Sequence, residues 1–260
     1  MSVNQRENRM GNERYNYQGC LMRIIEYNGN NDMIVEFQDK YKTKVHCIYQ
    51  AFCNGQVKNP YYPQVYGVGM IGNKYHAKPD EQITKEYDTW KQMLRRCFDI
   101  KHKEKCVEYK DVTCCEEWLL YENFYEWLHS QENFEKWSKG RRWAIDKDIL
   151  VKGNKIYSPN TCCLVPQNVN SLFTKRNRLR GDLPIGVQRV NSCYRASCKN
   201  PFTNKQEKLH CRSTIIESFL DYKAYKENIV KQVAQIEYDK GNITKVCYEA
   251  MMNYKVEITD

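Results

Sequence analysis

The sequence predicts an α+β chain built from several small modules in series, and three observations predict it. Mean hydropathy is −0.81, and the 41% of apolar residues lean on 20 tyrosines, which suits small mixed modules better than one large core. Short apolar or alternating runs bounded by turn residues occur near both ends, and large apolar side chains recur at helical spacing in the middle. From Ile145 to Asn170, IDKDILVKGNKIYSPNTCCLVPQNVN reads as an acidic strand, a loop, a second strand and a helix.

The elements follow in order. Met1 to Arg14 is polar and lacks the apolar stretch of a leader, so residues 1–13 are expected to be a short disordered arm. Residues 14–76 form a β-rich module, in which Leu21 to Tyr27 and Met33 to Phe37 are strand-like runs separated by Asn28-Gly29-Asn30-Asn31-Asp32. Asn54-Gly55 and Asn59-Pro60 mark further turns, and a small barrel or meander is expected. The central module, residues 84–178, opens with a helix, because Trp90, Met93, Leu94 and Cys97 fall at i, i+3, i+4 and i+7. Leu120, Phe124, Trp127 and Leu128 give a second helix a bulky apolar face that reads as core, with Glu116 and Glu117 in its first turn and His129 at its end.

Residues 184–236 read as three short strands and a long helix. The strands are Gly186 to Arg189, Tyr194 to Cys198 and Lys208 to Cys211, and Ile215, Phe219, Tyr222, Ile229 and Val233 keep one stripe of the helix apolar. Residues 240–260 form a last helix with Ile243, Cys247, Met251 and Tyr254 on one side, which either caps this domain or forms a self-association surface.

A net charge of +9 and a pI near 8.8 point to a polyanionic partner, the plain alternative being a lysine-rich composition and nothing more. The 13 cysteines are odd in number, include the adjacent pairs Cys114-Cys115 and Cys162-Cys163, and follow no leader, so reduced thiols and a cytoplasmic location are expected. No CxxC pair occurs, and Cys193-x4-Cys198 is loose for structural zinc. Cys97, Cys115 and one of Cys162 or Cys163 are expected as small core residues. No apolar run approaches the ~20 residues that span a bilayer, so no membrane partner is expected.

Asp146 and Asp148 stand two apart, so on a strand their carboxylates share a face, and either could hold a hard cation through oxygen while Asn170 approaches from the helix. A solvated acidic edge is the plain alternative. Trp90 to Cys97, Cys115-Glu116-Glu117-Trp118, Asn123-Phe124 and Trp127, standing before IDKD and YSPNTC, resemble the phage and prophage branch of HNH endonucleases over about residues 84–178. The resemblance implies a ββα-metal (HNH-like) module with flanking helices, Mg²⁺ or Mn²⁺ held by Asp146, Asp148 and Asn170, and Asp146, Lys147, Asp148 and Asn170 as catalytic residues. It departs from the family at two places: Lys147 stands where the general-base His is usual, and Thr161 where an Asn braces the turn.

The segment from Ile185 to about Gln235 resembles the ethylene-response-factor (AP2-type) DNA-binding domain, which lays its sheet in the major groove. That resemblance, with strand alternation placing Arg195 and Ser197 opposite Tyr194, Ala196 and Cys198, implies contacts to double-stranded DNA from Arg189, Arg195, Lys199 and Lys208. Arg176, Arg178 and Arg180, in the basic run before Gly181, are expected to add phosphate contacts. The tryptophans the family often carries on its sheet are absent here.

The function expected from these resemblances is metal-dependent phosphodiester hydrolysis on duplex DNA, in the host cytoplasm if the chain is phage-encoded. The alternative is a catalytically inactive HNH scaffold acting as a DNA-binding regulator or as a phage inhibitor of a host enzyme, in which Asp146 and Asp148 pair with Arg141, Arg142 or Lys147 instead of a metal. A homodimer or a host protein stays open as partner, and a purely structural protein would retard no DNA.

Overall fold

The computed structural model describes residues 8–77, 79, 82–174 and 182–260. The chain is a mixed α+β protein with several small sheets. It divides into two units, Met1–Lys110 with Cys114–Glu126, and Asp111–Thr113 with Trp127–Asp260.

In the first unit, β1 (Glu13–Tyr15), β2 (Leu21–Gly29), β3 (Asp32–Phe37) and β4 (Lys44–Cys47) form an antiparallel meander in sequence order. Alternation puts Met22 and Ile24 of β2, and Met33, Val35 and Phe37 of β3, on one face. A register shift between Ile24 and Glu26 moves the inward position on to Tyr27. The short helix α1 (Tyr49–Cys53) then lays Phe52 against this layer.

Part of the expected arm belongs to this sheet. From residue 8 onward the chain is tied down, for the Arg9 guanidinium lies 3.8 Å from the Tyr49 ring centroid and bonds to Tyr27 and Asn30, and Glu13 pairs with Arg23 across β1 and β2. Residues 1–7 lie outside the described residues. All three β1 side chains are exposed, so the strand is held by backbone pairing and the Glu13–Arg23 ion pair and leaves no hydrophobic pattern to read.

Helix α2 (Lys85–Phe98) starts at Thr84, whose hydroxyl oxygen accepts from the Tyr87 N–H, and it buries the four apolar residues of the predicted stripe together with Tyr87. The Trp90 indole N–H donates to the Trp118 carbonyl at 2.7 Å. Asp99 ends α2 and caps α3 (Ile100–Lys105). After the two-residue strand β5 (Thr113–Cys114), Glu116–Leu119 forms a separate 3₁₀ turn, so Glu116 and Glu117 precede the helix instead of forming its first turn. Leu120, extended at φ −97° and ψ 121°, makes the break, and α4 (Tyr121–His129) begins after it. Cys97 is buried as expected, Cys115 only half-buried, and Cys162 and Cys163 are both buried.

The second unit contains α5 (Phe134–Lys139), β6 (Trp143–Asp146), β7 (Ile156–Tyr157), β8 (Cys163–Pro166) and α6 (Gln167–Phe173), then β9 (Val187–Val190), β10 (Cys193–Lys199), β11 (Gln206–Arg212), α7 (Ile215–Asp239) and α8 (Lys245–Met252). Helix α7 opens with a reciprocal cap in which Thr214 accepts from the Glu217 N–H and Glu217 accepts from the Thr214 N–H. Its first half packs Phe219 and Tyr222 on Val187, Ala196 and Cys198 of the three-stranded sheet. Its second half packs Ile229, Val230, Val233 and Ala234 on Cys163, Val165, Val169 and Leu172 of the β8–α6 segment. One helix thus floors two cores. Ile243, Cys247 and Met251 are buried in the second of these cores, so the last helix covers the β8–α6 segment and not the three-stranded sheet of the domain it was expected to cap. Among the described residues no helix is long and apolar enough to cross a membrane.

Candidate functional site

Strand β6 runs antiparallel to β8, with Ile145 opposite Leu164 and Asp146 opposite Cys163. Pro166 ends β8 and leads straight into α6, because it has no N–H to give a strand partner and its φ of −58° suits a helix entry. The expected strand, loop, strand and helix are therefore present, but β6 stops at Asp146. Asp148 lies in the bend that follows, so the two carboxylates do not share a strand face.

Asp146 turns inward and closes that bend. Its Oδ1 accepts from the N–H groups of Asp148 at 2.6 Å and Ile149 at 2.8 Å, and the residue is 7% exposed. Burial pushes its carboxyl above the usual carboxylate range, against the pull of the two N–H donors and of the Lys147 ammonium. Lys147 is also buried, and its Nζ donates to both oxygens of Asp148, at 2.9 and 2.8 Å, and to the Asn154 carbonyl at 3.0 Å. All three ammonium protons have an acceptor, so Lys147 serves as an internal counter-ion, and acting as a base would require breaking that pair first. Arg141 and Arg142 are exposed and bond to neither aspartate.

Two side chains brace the loop. Thr161 Oγ1 donates to the Ile156 carbonyl at 2.7 Å and lies 2.8 Å from Ser158 Oγ, so it does the bracing expected of an Asn at this place. Asn154 does more: its Nδ2 donates to the carbonyls of Lys147 at 2.9 Å and Ile156 at 2.7 Å, and its Oδ1 accepts from the Ile156 N–H. In the sequence the only signal for Asn154 is its place after Gly153, whose φ of +77° marks the turn. Asn170 sits on α6, where its carbonyl accepts from Thr174.

These donors do not fit a divalent ion as they stand. Asp146 Oδ1 is spent on backbone N–H groups, both oxygens of Asp148 face an ammonium, and a metal brought between them would meet the Lys147 charge. Among the described residues no group of three or more His, Cys, Asp and Glu side chains is placed to hold a metal ion.

The second candidate is the sheet of order β11-β10-β9. Gly186, at φ +77°, starts it from beneath: a Cβ there would come within 2.1 Å of the Tyr222 ring, and its carbonyl accepts from the Ser197 N–H. Ala196 and Cys198 face α7, so Arg195, Ser197 and Lys199 face away from it. Cross-strand pairing adds Gln188 of β9 opposite Arg195, and Lys208 and Gln206 of β11 opposite Ser197 and Lys199. Lys199, Lys208, Gln188 and Gln206 are exposed, and none of these positions carries a carboxylate. Among the described residues Arg195, Lys199 and Lys208 make no ion pair.

Arg189 is placed differently. It pairs with Tyr194, on the alternation that faces α7, and is exposed at the sheet edge, so it does not join the other three cations. Arg212, of the same alternation, pairs with Asp221 of α7 through two N–H···O contacts of 2.7 and 3.1 Å and pins sheet to helix. Arg176, Arg178 and Arg180 lie outside the described residues. Comparison of the chain with protein-family models, curated proteins and solved structures finds no match.

Proposed function

We propose that the chain binds duplex DNA through the open face of β9, β10 and β11, as a DNA-binding protein on an HNH-like scaffold without the chemistry of that scaffold. One observation carries this reading: a sheet face with Arg195, Lys199 and Lys208, no carboxylate, and no ion pair among the described residues. A face of unneutralised cations on a rigid, helix-backed sheet is what a phosphate backbone needs, and Arg195 supplies the bidentate donor that reads guanine in the major groove. The net charge of +9 supports the same class of partner.

The second reading is metal-dependent endonuclease activity at Asp146, Asp148 and Asn170 with Mg²⁺ or Mn²⁺. The β6–β8–α6 layout favours it, as does a buried aspartate at the strand end. The Lys147–Asp148 pair weighs against it.

Supercoiled plasmid incubated with the protein in Mg²⁺, Mn²⁺ or EDTA separates the two, scoring retardation and nicking together. Retardation that weakens steeply with salt, without nicking, is the expected result. Metal-dependent nicking lost in Asp146→Asn would instead establish hydrolysis, and that variant is preferred to alanine because an amide oxygen still accepts the two loop N–H groups. No retardation even at low salt would sink the DNA reading.

A further inference from the structure

On the open sheet face the sulfurs of Cys193 and Cys211 lie 2.6 Å apart. The register pairs Cys211 with Arg195, so Cys193 is the diagonal neighbour of Cys211 across β10 and β11. Cys211 is exposed and Cys193 half-buried. A guanidinium N–H of Arg195 donates to Cys211 Sγ at 3.2 Å, placing a cation against the sulfur. The thiols of Cys163 and Cys247 differ on every count, lying 3.9 Å apart and both buried, with no cation at either sulfur among the described residues.

We propose that Cys193 and Cys211 form a reversible dithiol–disulfide site, oxidised by small disulfides of the glutathione class. Contact to a guanidinium and access to solvent are the conditions that make a thiol nucleophilic. Hydrogen bonds from Cys193 and Arg195 hold the Cys211 thiol below the usual range, while Cys193, facing Cys211, is pushed up. Cys211 is therefore the attacking sulfur and Cys193 the resolving one. The Cys211 thiolate displaces one glutathione thiolate from glutathione disulfide and forms a mixed disulfide. Cys193 then attacks the Cys211 sulfur, closing the bond between the two and expelling the second glutathione thiolate. The two protons lost by the cysteines go to the two released thiolates, so one glutathione disulfide becomes two glutathione molecules. The closed bond staples β10 to β11 and removes the Cys211 thiol that lies against Arg195. The effect on DNA contact rests on the DNA-binding reading; the covalent chemistry does not.

The test equilibrates the full chain in glutathione and glutathione disulfide mixtures, quenches with acid, alkylates the remaining thiols after unfolding and maps the peptides by mass. The expected product is one disulfide per chain joining the Cys193 and Cys211 peptides, reversed by excess glutathione, with Cys163 and Cys247 recovered as thiols. Cys193→Ser is expected to accumulate one glutathionyl group on Cys211. Recovery of Cys193 and Cys211 as separate thiols at the oxidising end, or their linkage to other cysteines, would overturn the proposal. Retardation of duplex DNA is measured in both redox states: its absence in both sinks the DNA reading and leaves the disulfide standing, whereas retardation with no disulfide sinks this proposal alone.

Discussion

At the end of β6 and in the bend after it, the three consecutive charged groups have internal partners: Asp146 holds two backbone N–H groups, and Lys147 holds Asp148 and a carbonyl. On the outer face of β9, β10 and β11, Arg195, Lys199 and Lys208 meet no carboxylate among the described residues. Both regions belong to the same unit and both read as charged in sequence, yet only one leaves its charge for a partner. A buried charge without a partner costs several kcal/mol, so the loop must satisfy its own, while a sheet face in water carries no such penalty and can keep its cations free.

The strongest way to break this contrast is to remove the free cations. The triple variant Arg195→Ala, Lys199→Ala, Lys208→Ala is expected to lose on the order of a hundredfold in affinity for duplex DNA at low salt and to flatten the slope of log affinity against log salt by roughly 1.8, about 0.9 for each of the two lysine contacts to phosphate. Its thermal stability should stay near that of the parent, since the three side chains support no ion pair among the described residues. An unchanged salt slope would mean that the face does not touch phosphate.

Asn154→Ala should behave in the opposite way, costing about 2 kcal/mol in chemical denaturation, because the Lys147 carbonyl loses its donor and Ile156 loses both a donor and an acceptor. The DNA salt slope of this variant should not move. A loss of DNA affinity at full stability would place the loop in the DNA interface and erase the contrast.

The smallest effect is expected from Asp146→Asn, which should stay within about 1 kcal/mol of the parent at neutral pH because the amide oxygen keeps both N–H donors. The folded-state pKa of Asp146 is raised by burial, so the folded chain holds that proton more tightly than the unfolded one. Its contribution is therefore full at low pH and is lost as pH rises from about 4 through the raised folded value. The variant should lack this part of the pH dependence, and a stability profile identical to that of the parent would show that Asp146 does not titrate in that range.

Much of the fold is legible from periodicity. Trp90, Met93, Leu94 and Cys97 predict α2, the alternation from Met33 to Phe37 predicts β3, and the stripe from Ile215 to Val233 predicts α7. What escapes is structure held by backbone pairing and exposed polar contacts, as in β1, or by one residue's geometry, as at Leu120, where an extended conformation splits off Glu116 and Glu117. The candidate site is less legible than the fold. The spacing of Asp146 and Asp148 suggests a shared face, but where a strand stops depends on its partner, and β8 pairs β6 only as far as Asp146. Asn154, which holds most of the loop together, carries no periodic signal.

The sequence by itself determined the local elements and their polarity: which helix faces are apolar, that the second strand of the C-terminal sheet alternates Arg195 and Ser197 against Ala196 and Cys198, and that the chain carries a charge of +9. Those properties follow from the 2.0 and 3.6 residue repeats and from composition, which are local. Only the tertiary structure decided that α7 floors two cores, that Lys147 neutralises Asp148, that Arg189 faces away from Arg195, and that Cys193 meets Cys211. Each of these depends on register and on which groups are buried together, and burial decides whether a charge is paired internally or left for a partner.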